Sequence, residues 1–94
     1  MRQLREDEWI RLWTKNKRKH LRIIAKGDQV LYDRLFSLEK IATQQKYERL
    51  KEKQITTTPF ILKFLLQLEK YNLTLDQLKC ILDYQKEKEG RENN

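Results

Sequence analysis

One cysteine, one proline, one histidine and two glycines are all this 94-residue chain holds of the residues that most often punctuate a fold or carry its chemistry. A lone Cys80 excludes an internal disulfide and favours a reducing compartment. With His20 alone there is no second imidazole for a transition-metal site. Gly27 and Gly90 stand far apart, so no glycine-rich loop exists to cradle a phosphate. The carboxylates fall at helix starts or among lysines, where capping and solvation account for them. These absences read as a binding protein without cofactor or metal, not an enzyme. No apolar run approaches 18 residues and the first residues are charged, so the expectation is a cytoplasmic protein, neither exported nor membrane-spanning.

The same scarcity of glycine and proline speaks to fold. Ile55-Thr56-Thr57-Thr58 is β-branched throughout, but Pro59 closes the run before it could pair as a central strand. The expectation is an all-α protein, a compact bundle of about four helices. Residues 1–90 form a single helical domain, and 91–94 a frayed C-terminal tail.

What the chain has in quantity is positive charge. Lys and Arg number 21 against 14 Asp and Glu, for a net charge of +7. The excess is local: residues 1–54 hold 15 basic and 8 acidic side chains, residues 55–94 six of each. Between Arg11 and Lys26 there are seven Lys and Arg and no carboxylate. Helical geometry at about 100° per residue gathers Arg11, Lys15, Arg18, Lys19, Arg22 and Lys26 within an arc of roughly 100°. Trp9, Leu12, Trp13, Ile23 and Ile24 define the opposing dry face, with Asn16 and His20 in the same stripe. Helix 1 is expected to start between Leu4 and Glu8, where Glu6, Asp7 and Glu8 suit the positive end of the helix dipole. It runs to Lys26, with Gly27 as a left-handed stop.

Asp28 is a natural N-cap for helix 2, which can reach Lys53. One stripe holds Leu31, Leu35, Leu38, Ile41 and Ala42; a second holds Tyr32, Phe36, Tyr47 and Leu50. Two apolar sides call for two neighbours, and the second stripe is the expected homodimer interface. Thr58-Pro59 opens helix 3, whose apolar residues cover nearly the whole circumference and predict a central, buried rod ending at Asn72. Thr74-x-x-Gln77 is a capping box opening helix 4, with stripe Leu75, Leu78, Ile81, Leu82 and an end at Gly90.

Two constellations compete for function. Helices 3 and 4 have the proportions of a helix-turn-helix, but the exposed side of helix 4 would turn Asp76, Asp83 and Glu87 toward phosphates, and an ordinary hairpin explains it better. The cationic face of helix 1 is the stronger signal. It suits the DNA or RNA backbone, with little sequence readout because no aromatic residue interleaves the cations. A membrane surface would require Trp9 and Trp13 outside the core, where so few apolar residues cannot spare them. The reading is a small basic nucleic-acid-binding or nucleic-acid-machinery accessory protein. The alternative is a helical regulatory protein that docks an acidic protein partner. Usage rich in Lys and Ile and poor in Gly and Ala suits an AT-rich phage or other mobile element.

Overall fold

The computed structural model describes residues 2–92, with side chains described through Gly90. Four α-helices follow one another: α1 Glu6–Ala25, α2 Gln29–Glu52, α3 Pro59–Glu69 and α4 Leu75–Glu92, with no strand among the described residues. The all-α bundle is as expected. Its extents are 57 × 23 × 21 Å.

The helix ends follow their local chemistry. Lys26 (φ 52°) and Gly27 (φ 82°) both adopt the left-handed conformation that closes α1. The Asp28 carboxylate accepts from the backbone N–H groups of Val30 and Leu31 at the start of α2. Thr58 caps α3 through Ile61 N–H, and Thr74 and Gln77 exchange reciprocal hydrogen bonds at 2.9 and 3.1 Å to open α4. α4 passes through Gly90 to Glu92; of the expected tail, residues 93 and 94 lie outside the described residues.

α1 and α2 form a long antiparallel hairpin along one row of residues from each helix. The buried row of α1 is Trp9, Trp13, Lys17, Leu21 and Ala25; that of α2 is Leu31, Leu35, Glu39, Thr43 and Tyr47. Both rows step by four, and Trp9 meets Tyr47 (centroids 6.0 Å) while Lys17 meets Glu39 (3.6 Å), which sets the register. Because four residues turn 400° rather than 360°, such a row winds around its helix by about 40° per step. This winding corrects the dry face drawn for α1. By the second half of the helix the buried side has rotated to Leu21 and Ala25, and Ile23 and Asn16 are exposed.

α3 and α4 form a third layer, laid end to end on one side of the hairpin. α3 packs on α1 and α4 on α2. At one end Leu4 N–H donates to Thr57 O and Thr57 Oγ1 to Leu4 O; at the other the Tyr84 hydroxyl donates to Asp28, joined by Lys88 at 2.9 Å. Two apolar cores result. Leu62 closes one with Leu4, Trp9, Trp13 and Tyr47, the two indoles stacking at 5.0 Å. Tyr84 closes the other with Leu21, Ala25, Leu31 and Leu35.

Between the cores lies a polar layer. The Lys17 ammonium donates to Glu69 O (2.9 Å) and Asn72 O (2.6 Å) where α3 stops, and Glu69 O also accepts from Asn72 N–H at 3.0 Å. Burial pushes this lysine below its ordinary pKa, against the pull of Glu39. Beside it Gln77, fully buried, donates to Leu35 O.

The third layer departs from expectation. Only Leu62 of α3 is buried, whereas Phe60, Phe64 and Leu68 face solvent, so α3 is an outer rod and not a central one. On α4, Leu75, Leu78 and Leu82 also face outward, and the inward positions belong to Gln77 and Tyr84. No further helix among the described residues covers that side; dense apolar residues report a demand for partners without saying where the partners lie.

Candidate nucleic-acid interface

All six cations singled out on α1 (Arg11, Lys15, Arg18, Lys19, Arg22 and Lys26) are exposed, and among the described residues none forms an ion pair. Several other cations behave differently. Arg2 and Arg5 meet Glu8, Lys17 meets Glu39, Arg34 meets Glu87, and Lys46 meets Glu69. Lys40, Arg49 and other surface cations form no ion pair among the described residues either; what sets the α1 face apart is that six such cations share one side of one helix with no carboxylate among them. Lys17, the seventh cation of the stretch, is buried and belongs to the polar layer.

The face continues into a groove between α1 and α2, on the side of the hairpin away from α3 and α4. Arg11, Lys15 and Arg18 form one wall and Lys40 of α2 stands opposite, over a floor of Ile10, Thr14 and Phe36. Asp7 sits in the same groove lining, paired at 3.8 Å with Arg5. Thr14 returns its hydroxyl to the Ile10 and Arg11 carbonyls, so the floor offers little unmet polarity.

Aromatic rings lie directly beneath the cations. Phe36 and Tyr32 stack at 5.8 Å with 14° between planes. Arg18 lies 5.8 Å and Lys40 4.9 Å from the centre of the Phe36 ring, and Arg22 lies 5.3 Å from that of Tyr32. The ring quadrupoles attract these cationic groups over their faces, a contact worth about 0.5–1 kcal/mol at an exposed site. A sequence reading confined to α1 finds no aromatic residue among the cations and misses both this support and Lys40. The signal was present one helix on: Tyr32, Phe36 and Lys40 recur at four-residue steps beside the buried row of α2.

The residues expected to form a dimer through α2 are engaged within the chain. Tyr47 is buried against Trp9, Leu50 packs on the same core, and Tyr32 and Phe36 are half-buried under Arg22 and Arg18. The two helices that pack on α2 within the chain are α1 and α4. His20 sits half-buried with its ring edge-on to Tyr71 at 5.2 Å. Cys80 is half-buried, and burial raises its thiol above the ordinary value.

On α4, Lys79 and Lys86 are exposed beside Asp76 and Asp83, and Glu87 is held by Arg34 at 3.0 Å. Charge of both signs alternates there, unlike the single sign on α1. No cluster of three potential metal ligands occurs among the described residues, and none of their helices is long and apolar enough to cross a membrane. No protein-family model matches the chain, and neither a curated protein nor a solved structure is significantly similar to it.

Proposed function

We propose that this protein binds the phosphate backbone of DNA or RNA through the α1 face and the α1–α2 groove, as a cytoplasmic accessory of nucleic-acid machinery and not as an enzyme. The observation that carries the reading is the one-sided, unpaired set of six cations, joined by Lys40 across the groove. Arg11, Lys15, Arg18 and Arg22 step along α1 by four, three and four residues, a rise of roughly 5–6 Å per step. A nucleic-acid strand presents phosphates at comparable intervals, and each neutralised phosphate releases counterions.

Base-edge readout has little support, because the residues at the surface are long cations and the polar groups beneath them are satisfied internally. Binding should therefore depend weakly on sequence. An acidic protein could meet the same cations, and a binding assay separates the two readings.

The test is a binding assay with a labelled duplex, its shuffled-sequence counterpart and a single strand. The parent chain should bind both duplexes equally well, and Lys15→Gln/Arg18→Gln/Arg22→Gln should weaken binding to every probe. Unchanged affinity in the triple variant would overturn the reading and favour the protein-docking one.

A further inference from the structure

The outer side of the third layer is apolar, and no element among the described residues covers it. α3 turns Phe60, Phe64 and Leu68 outward, Tyr71 follows in the break, and α4 adds Leu75, Leu78 and Leu82. Leu75 is 84 % exposed, which is far from an ordinary helix-surface leucine. Phe60, Phe64 and Leu68 share one side of α3 and Leu75, Leu78 and Leu82 one side of α4, with Tyr71 in the non-helical break between them. Together they leave on the order of 800 Å² of residue surface in water, given roughly 150–250 Å² for each residue when fully open. The largest apolar patch on a typical monomer is about 300–600 Å². One partner's share of a standard interface is about 800 Å². The seam therefore has the area of a stable interface.

We infer that this seam joins two copies of the chain, packed antiparallel about a two-fold axis at Tyr71. A symmetric interface must be complementary to itself, so each residue needs a partner equally far on the other side of the axis. The break that holds Tyr71 lies midway along the seam, with three apolar residues of α3 on one side of it and three of α4 on the other. A two-fold at the break thus sets the Phe60, Phe64 and Leu68 side of α3 against the Leu75, Leu78 and Leu82 side of α4 in the other copy, phenyl rings against branched chains. Such size alternation lets facing side chains interdigitate. A parallel pairing would put Phe60 on Phe60 and Phe64 on Phe64, with smaller leucines facing one another at the other end.

Sedimentation of the full chain at tens of micromolar should give a species of twice 11.6 kDa. Leu68→Glu/Leu75→Glu should raise the dimer dissociation constant at least about a hundredfold while helical circular dichroism is retained. Ile41→Glu, exposed on α2 away from the seam, should leave it unchanged. Should the double variant lose structure, a second measurement decides: Tyr71→Cys in a Cys80→Ser background should oxidise to a cross-linked dimer, because the axis brings the two thiols together. A monomer at high concentration, a dimer indifferent to Leu68→Glu/Leu75→Glu, or no cross-link from Tyr71→Cys would each overturn the inference. A seam that binds a different protein would give the first of these outcomes.

Discussion

Lys17 and Glu39 face each other at 3.6 Å in the middle of the α1–α2 hairpin, their side chains 5 % and 4 % exposed. The pair separates the two apolar cores, and the ammonium also closes the end of α3. Glu39 is less well provided: Thr43 donates to one carboxylate oxygen at 3.4 Å, and the other has no hydrogen-bond partner.

Removing the cation should therefore do more damage than neutralising the anion. Lys17→Met leaves a buried carboxylate unpaired and takes the ammonium from Asn72 O, while Glu69 O keeps Asn72 N–H, and should destabilise the fold by about 3–5 kcal/mol. Glu39→Gln keeps both carbonyl bonds of Lys17 and should lose about half as much. Urea unfolding followed by circular dichroism measures both; a Lys17→Met loss below about 1 kcal/mol would show the polar layer to be dispensable.

Much of this architecture is legible in the residues. Asp28, Thr58-Pro59 and the Thr74–Gln77 box each mark a helix start by their own chemistry, which needs no tertiary context. The cations of α1 are legible for the same reason, since helical spacing alone gathers them. The buried rows are less so. Lys17 reads as one more surface lysine because its type says nothing of the carbonyls waiting at the end of α3. Leu78 and Leu82 read as core because their spacing says only that they share a side, and that side faces outward.

Leucines of one type should accordingly differ in what they support. Leu35→Ala, at a fully buried site, should destabilise by about 2–5 kcal/mol. Leu78→Ala, at a position 45 % exposed, should lose under about 1 kcal/mol in the monomer. Equal losses would place Leu78 inside the core. Lys79→Ala and Lys86→Ala should leave nucleic-acid affinity nearly unchanged, as α4 is not the proposed contact.

Acid should act through Asp28. The Tyr84 hydroxyl, then Lys88, hold this carboxyl well below its ordinary value of 3.8. A carboxyl lowered in the folded state supplies stability that is complete above the unfolded value and is lost as pH falls below it. Thermal midpoints should drop between about pH 5 and pH 2 more steeply in the parent chain than in Asp28→Asn, which retains a capping oxygen. Parallel curves would contradict the assignment.

If two copies pair through α3 and α4, their α1 faces point away from each other, since the groove lies on the far side of each hairpin. The dimer should then bridge two duplexes. Surface-tethered DNA should capture a second, free duplex in the presence of the parent protein. Leu68→Glu/Leu75→Glu should bind the tethered duplex without capturing the free one; capture by that variant would separate bridging from the seam.

The most direct test of the cationic face is the salt dependence of binding. Counterion release predicts a log–log slope of about −3 to −5 for the parent chain if four or five of the α1 cations meet phosphates. Lys15→Gln/Arg18→Gln/Arg22→Gln should reduce that slope by about two to three, equally for all sequences, with the helical signal intact. A slope near zero in the parent, or one that the triple variant leaves unchanged, would contradict phosphate binding by α1.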